Sequence, residues 1–290
     1  MRQRELILVV AAILVAMTAA AADVERVHVL VANDDGIDAP GLAALVAVLA
    51  ADPTYRVTVV APAEQQSGQG HALVIRGEIA VTPHPAIHGA TAWTVAATPA
   101  TAVKVGLTAL LVDDPPDLVV SGINRGENVG RAAWYSGTVG AAREAVFEGL
   151  PAIAFSLQLD WTDPRPDYAA AARWSKPVVD AVRAHGLPDG VLLNVNIPAD
   201  SAAARGYRLA TMGLAPDEVS RYEVVRHDGE VRYVKSVWRP PVESTRGADT
   251  LLVDQGWVAV APLGIDQTAA RAFAVVDELG LSCLRPASAE

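Results

Sequence analysis

Short apolar runs alternate with amphipathic stretches along most of this chain. Val27–Ala32 is an apolar, β-branched run, and residues 39–51 follow it with Leu42, Leu45 and Leu49 on one helical stripe. The first pattern is typical of a buried strand and the second of a helix with one apolar face. This part of the chain therefore predicts a strand, a short polar loop and a helix.

The same alternation continues toward the C-terminus. Further strands are predicted at residues 57–61, 118–120, 152–156, 191–197 and 257–262, and further helices at residues 99–111, 137–149 and 167–185. Alternating strands and helices favour an α/β fold, doubly wound, with a largely parallel sheet covered on both faces. Ligands of such sheets bind beyond the carboxyl ends of the strands. We therefore expect the polar loops at residues 33–36, 64–70 and 121–130 to share a site.

The pattern changes at residues 211–246, where charged residues interleave with valines. Asp228 and Gly229 stand between two alternating stretches, and this dipeptide is a hairpin signal. We expect a protruding β-hairpin arm, within about residues 205–250, that packs on another subunit. A solvated surface excursion is the alternative.

Composition and charge exclude some classes of protein and some kinds of partner. Of 290 residues, 51% are hydrophobic and 19% charged, which indicates a globular chain rather than a disordered one. A net charge of −10 disfavours a nucleic acid duplex as a partner, because phosphate backbones repel an acidic protein. Cys283 is the only cysteine, which excludes an intramolecular disulfide and a cysteine-ligated zinc site.

The first 22 residues have the pattern of a secretory signal peptide. Arg2 and Arg4 are basic, residues 6–17 are apolar, and residues 20–22 are alanines. An apolar run of about a dozen residues is too short for a stable membrane span. We expect cleavage near Ala22, one domain at residues 23–290, and export to the periplasm or the medium. An uncleaved anchor or an extra N-terminal helix is the alternative.

Asp34 and Asp35 follow the first predicted strand directly. Adjacent carboxylates repel each other unless a cation or hydrogen-bond donors offset their charge, and hard divalent cations prefer such oxygen ligands. The pair therefore suggests a metal site, although turns rich in Asp and Asn also form for purely local reasons. Ser67, beside Gly68 in the second loop, and Asn124 in the third could supply neutral oxygens.

A second candidate site lies at the start of a predicted helix. Ser136, Gly137 and Thr138 place two hydroxyls around a glycine where backbone N–H groups and the helix dipole favour an anion. A plain N-cap explains one hydroxyl but not the glycine between two. Between residues 121 and 143, the basic residues Arg125, Arg131 and Arg143 outnumber the acidic residue Glu127. This local excess of positive charge favours phosphate as the anion.

Taken together, these motifs resemble the SurE family of metal-dependent nucleotidases and acid phosphatases. The matching stretches are residues 33–36, 61–67, 121–126, 136–139, 194–198 and 256–263. The resemblance implies a three-layer αβα Rossmann-like core, a divalent cation (Mg²⁺ or Mn²⁺), nucleoside monophosphate substrates, and homodimers or homotetramers built by exchanged C-terminal arms.

Site residues also follow from the resemblance, position by position. The metal ligands would be Asp34, Asp35, Ser67 and Asn124. The phosphate would lie against Ser67, Gly68, Ser136, Gly137 and Thr138. Direct roles in catalysis would fall to Asp35, Asn124, Ser136 and Thr138, and the resemblance leaves open whether water or Asp35 attacks phosphorus.

The chain departs from the family pattern at Ala97, Thr101 and Ala132, and none of these is an expected ligand. We therefore expect a metal-dependent phosphomonoesterase of the 5′-nucleotidase type. The alternative is a nucleotide-binding protein of the same fold with little or no catalysis. A Rossmann oxidoreductase is a weaker alternative, because the first strand is not followed by GxGxxG.

Overall fold

The computed structural model describes residues 26–160, 162, 165–214, 219–238 and 242–278. The predicted signal peptide, residues 1–22, and Cys283 lie outside the described residues. The expectations for them stay predictions.

Nine of the described strands form one sheet in the order β3-β4-β2-β1-β5-β6-β7-β11-β8. Six neighbouring pairs are parallel, and β3–β4 and β7–β11 are antiparallel. The strands are β1 (Val27–Ala32), β2 (Tyr55–Pro62), β3 (Val81–Ile87), β4 (Ala90–Val95), β5 (Leu118–Arg125), β6 (Ala152–Leu157), β7 (Val191–Ile197), β8 (Tyr207–Leu209) and β11 (Val258–Gly264).

Helices cover both faces of this sheet. They are α1 (Pro40–Ala50), α2 (Pro99–Val105), α3 (Ala132–Tyr135), α4 (Gly137–Phe147), α5 (Tyr168–His185), α6 (Asp249–Asp254) and α7 (Phe273–Asp277). Apolar side chains of α1 and α5 form one buried cluster with the sheet, and those of α2 and α4 form another on the opposite face. The predicted α/β fold with a mostly parallel, doubly covered sheet is therefore confirmed.

The central strands owe their position to apolar side chains on both of their faces. Every residue of β6 is buried, as are all residues of β5 except Arg125. Alternate side chains of one strand enter the two clusters, because successive residues point to opposite faces of a sheet.

Within the described residues, no helix has the length and apolar character needed to cross a membrane.

The predicted hairpin forms a separate two-stranded sheet. Its antiparallel strands are β9 (Val219–Asp228) and β10 (Val231–Trp238), and Gly229 adopts a positive φ of 57° in the turn. Apolar side chains of the hairpin, including Tyr222 and Val231, are exposed. The hairpin is confirmed, and its packing on another subunit stays a prediction.

Two predicted segments differ from the observed elements, and one observed hairpin was not predicted. The third polar segment is not a loop from residue 121, because β5 continues to Arg125 through a bulge against β6. The helix predicted at residues 99–111 changes to a π-helical turn at Gly106–Leu110. The hairpin β3–β4 was not predicted, because its exposed residues and two prolines give no apolar run.

Candidate active site

Asp34 and Asp35 lie at the carboxyl end of β1, where the chain turns toward α1. The side-chain amide of Asn33 donates to the carbonyl of Gly36 over 2.7 Å, and Gly36 has a φ of +97°. This turn leaves Asp34 only 3% exposed, with Asp35 half-buried. Oδ2 of Asp35 accepts a hydrogen bond from the backbone N–H of Arg125 over 2.8 Å. The turn after β1 and the end of β5 are therefore joined through Asp35.

Burial makes two ionised carboxylates costly at this position. Loss of hydration, and to a smaller extent the neighbouring charge of Asp35, raise the pKa of Asp34 to about 6, and the hydrogen bond from Thr138 opposes this shift. Burial also raises the pKa of Asp35, against the N–H and the positive charge of Arg125. A bound cation would offset this cost, because it favours the ionised form of both groups.

The start of α4 packs directly against Asp34. The hydroxyl of Thr138, which has no exposed surface, donates a short hydrogen bond to Oδ1 of Asp34. A Cβ atom at Gly137 would lie 2.7 Å from Cβ of Asp34 and 3.0 Å from its Oδ2. Ser136 caps the helix, since its Oγ accepts from the N–H of Val139 over 3.1 Å. The N-cap interpretation therefore holds for Ser136, and the phosphate-binding roles of the three residues stay predictions.

Asn124 lies near the end of β5 and is buried. Its Nδ2 donates to the carbonyl of Gly126 over 2.8 Å, which leaves Oδ1 as the oxygen available to a cation. The bulge that precedes Asn124 contains Gly122 at a φ of +132°. A Cβ atom at Gly122 would lie 2.3 Å from the carbonyl oxygen of Phe155, so the bulge requires glycine.

Ser67 and Gly68 lie on the loop that follows β2. The N–H of Gln66 donates to the carbonyl of Asp34 over 2.7 Å, which places this loop beside the turn after β1. Ser67 is exposed, and its Oγ accepts from Nε2 of Gln65. Through the contacts of Gln66, Arg125 and Thr138, the structure brings all the predicted site residues to one edge of the sheet.

The donors at this edge fit a hard divalent cation. Among the described residues, no group of three or more His, Cys, Asp and Glu side chains could hold a metal ion. The set predicted from the sequence is of another kind, because it combines two carboxylates with the neutral oxygens of Ser67 and Asn124. Such oxygens suit Mg²⁺ or Mn²⁺.

Sequence reasoning missed the polar network that supports the loop after β5. The N–H of Asn128 donates to Oδ1 of Asn196 over 2.7 Å, its Nδ2 donates to Ser156 over 2.8 Å, and Asn194 donates to its carbonyl over 2.8 Å. All four side chains are buried. The signal available was the pair of asparagines inside the apolar strand β7, because buried amides need hydrogen-bond partners.

Asp249 was also missed, although it joins this loop to the base of the hairpin. Its carboxylate accepts from the N–H groups of Gly130 over 3.0 Å, Gly213 over 2.9 Å and Thr250 over 2.9 Å. Burial raises the pKa of Asp249, and these three bonds oppose the shift. No local pattern indicates this contact, since Asp249 stands 119 residues from Gly130.

Most of the chain is similar in sequence to known proteins. The family model described as "Survival protein SurE" matches residues 29–218. A protein named "5'-nucleotidase SurE" from Desulfatibacillum aliphaticivorans is 40% identical over 246 residues, 83% of this chain and 93% of that protein. "5'-nucleotidase SurE 1" from Thermus thermophilus is 40% identical over 245 residues, with the same coverage of both chains.

A solved structure shows the same similarity in three dimensions. The crystal structure of the SurE protein from Aquifex aeolicus superposes with a TM-score of 0.75 at 30% sequence identity. The match covers 87% of this chain and 99% of that one. Both the sequence and the fold therefore agree with the family over nearly the whole length of these relatives.

Proposed function

This chain belongs to the SurE family, and we propose that it is a 5′-nucleotidase that releases phosphate from nucleoside monophosphates with the help of Mg²⁺ or Mn²⁺. The observation that carries the proposal is the packing of Gly137, at the start of α4, against Asp34. It brings an anion-binding helix start and a pair of carboxylates to one place. A phosphate ester bound between them would face a cation on one side and backbone N–H groups on the other.

In this proposal, Asp34, Asp35, Ser67 and Asn124 hold the cation. When bound, the cation supplies positive charge that polarises a phosphoryl oxygen. The structural support is that Asp34 is buried and Asp35 half-buried, and that Oδ1 of Asn124 is available to a cation. Asp35 is fixed by the N–H of Arg125, so its second oxygen keeps a defined direction.

The phosphate is bound by the first turn of α4 and by Ser67 and Gly68. The first N–H groups of a helix have no carbonyl partner in a preceding turn. Here the N–H of Thr138 is bonded to the carboxylate of Asp34, which leaves the N–H of Gly137 for the phosphate. Donors fixed before the reaction stabilise charge that develops on phosphoryl oxygens, because they need not reorganise. Oγ of Ser136 accepts from Val139, so its own proton is free to be donated to the substrate.

Departures from the family pattern do not remove any of these groups. The hydroxyl of Thr101 accepts from the N–H of Val74 over 2.9 Å, and Ala132 is the first residue of α3. Ala97 is part of the apolar cluster under α2. A protein that binds nucleotides without catalysis remains the second candidate, and these three positions are its support.

Assembly and location belong to the same proposal. We propose a homodimer or homotetramer that uses the hairpin β9–β10, because its exposed apolar side chains would be buried by a second copy. We also propose export to the periplasm or the medium, on the basis of the N-terminal sequence pattern.

The test is phosphate release from a panel of nucleoside monophosphates with Mg²⁺, Mn²⁺ or a chelator. We expect chelation to abolish activity, and Asp35→Asn to lower kcat by at least about 10²-fold, because it changes charge at the reacting centre. Asp38→Asn is the matched control, since Asp38 lies on the same turn with its side chain 85% exposed. Full activity after exhaustive chelation would contradict the metal requirement, and release no faster than background under all conditions would favour the binding protein.

A further inference from the structure

Glu144 is a buried carboxylate in the middle of α4. It is 1% exposed, and both of its oxygens are paired. Nε2 of His71 donates to Oε2 over 2.6 Å, and Nζ of Lys104 donates to Oε1 over 2.8 Å. A carboxylate in this position joins two other segments of the chain to one helix.

Glu144 and Lys104 form an ion pair. Burial on its own raises the pKa of Glu144, but the hydrogen bonds from His71 and Lys104 outweigh burial and hold the pKa below its usual value. The pKa of Lys104 is raised, chiefly by its hydrogen bond to Glu144. Hydrogen bonds to a charged group are stronger than neutral ones, so Glu144 can fix the segments that reach it.

His71 stands at the end of the loop that carries Ser67 and Gly68. This loop is bonded to the rest of the protein before Ser67, where Gln66 donates to the carbonyl of Asp34 over 2.7 Å. It is bonded again after Gly68, where the N–H of Gly70 donates to the carbonyl of Tyr135 over 2.8 Å. Between these points Ser67 and Gly68 are exposed, and a Cβ atom at Gly68 would meet nothing within 4 Å. Their position therefore depends on the ends of the loop.

The C-terminal end of the loop lies directly on α4. A Cβ atom at Gly140 would be 2.1 Å from the carbonyl oxygen of Gly70, so the two backbones are in close contact. The ring of His71 is stacked on Phe147 with centroids 5.1 Å apart and an angle of 21° between the planes. The helix that presents Gly137 and Thr138 in its first turn thus holds the Ser67 loop in its later turns.

We propose that His71 is a positioning residue, and that its bond to Glu144 sets the place of Ser67 and Gly68 relative to Asp34 and the start of α4. The inference rests on the proposed function, because it gives Ser67 a role in the site. The imidazole is engaged by Glu144 on one nitrogen and by Phe147 on its face, so it supports the loop rather than the reacting atoms.

A double-mutant cycle tests the proposal. If His71 acts through Ser67, its loss matters only while the Ser67 hydroxyl is present. We expect His71→Ala to lower kcat/KM about tenfold, mainly through KM, because a loop displaced by a fraction of an ångström binds substrate less well. In a Ser67→Ala background the same change should cost less than about twofold. Equal effects in both backgrounds would overturn the proposal.

Two variants separate positioning from simple stability. Lys104→Gln removes the other partner of Glu144 and leaves the loop untouched. We expect it to lower Tm while kcat/KM stays within about twofold of wild type. His71→Gln keeps a side-chain donor that can reach Glu144, and it should recover part of the activity lost in His71→Ala. A Lys104→Gln variant as impaired as His71→Ala would show that general destabilisation is the cause.

Hydrogen–deuterium exchange gives a readout that does not need activity. Peptides covering residues 64–71 should exchange faster in His71→Ala than in wild type or Lys104→Gln, because the loop loses an anchor. Unchanged exchange in these peptides would overturn the proposal. Since exchange is measured without nucleotide or metal, a failure of the proposed function is distinguishable from a failure of this inference.

Discussion

Gly137 and Asp34 are in such close contact that a Cβ atom at position 137 would lie 2.7 Å from Cβ of Asp34. Real Cβ atoms essentially never approach another atom so closely. The glycine between two hydroxyls is therefore required by the carboxylate that follows β1. A side chain at position 137 would meet Asp34 and Pro99 first.

The first prediction concerns this contact. Gly137→Val should lower kcat/KM more than Thr138→Ala, because the added side chain pushes Asp34 out of place instead of removing a single bond. Steady-state kinetics compares the variants, and circular dichroism checks that both are folded. Equal kcat/KM values near that of wild type in both variants would show that the start of α4 is only a structural cap.

The second prediction concerns the hydroxyl of Thr138. Thr138→Ala leaves Oδ1 of Asp34 without its hydroxyl donor, and we expect a loss of roughly 1 to 3 kcal/mol in kcat/KM, about 5- to 150-fold. Thr138→Ser keeps the hydroxyl and is the matched control, with activity close to wild type. A serine variant as impaired as the alanine variant would show that the methyl group, not the hydrogen bond, is what matters.

The third prediction concerns stability. Asp249→Asn replaces one of the oxygens that accept from Gly130, Gly213 and Thr250 with an NH₂ group, which donates and cannot accept. We expect the free energy of unfolding to fall by about 1 to 3 kcal/mol, because a buried N–H is left without a partner. Urea denaturation measures this change. Asp254→Asn, on the same helix, should have little effect, since Asp254 is exposed and accepts from the side chain of Gln158 rather than from a buried backbone N–H.

The fourth prediction concerns the hairpin. Deletion of residues 220–239 should give a folded protein of smaller assembled mass, because the exposed apolar side chains of β9 and β10 are removed. Light scattering coupled to size exclusion measures the mass, and circular dichroism checks the fold. If the number of subunits stays the same after the deletion, the hairpin does not hold the assembly together.

The fifth prediction concerns the N-terminus. If residues 1–22 are a signal peptide, protein recovered from its native compartment should begin near Asp23. N-terminal sequencing or intact mass measurement decides this. A protein that retains Met1 there would contradict cleavage.

Much of the fold, and the edge of the sheet at which the candidate site residues lie, could be predicted from the sequence. The apolar run of β1 and the apolar stripe of α1 each lie within one short stretch of sequence. Strand and helix could therefore be assigned from the pattern of neighbouring residues. The position of Asp34 and Asp35 at a sheet edge then followed from topology, because parallel strands end on the same side. The family resemblance supplied the residue roles that local patterns leave open.

The tertiary structure decided which side chains meet. Thr138 is 104 residues from Asp34, and Glu144 is 73 residues from His71. Neither contact has a local signal, because each depends on how α4 lies against the end of β1 and the loop after β2. The continuation of β5 to Arg125 is of the same kind, since pairing with β6 overrides the turn preference of its glycine and asparagine. The periodicity of apolar residues along the chain determines the strands and helices. Hydrogen-bond partners that are far apart in the sequence are determined only by how those elements pack.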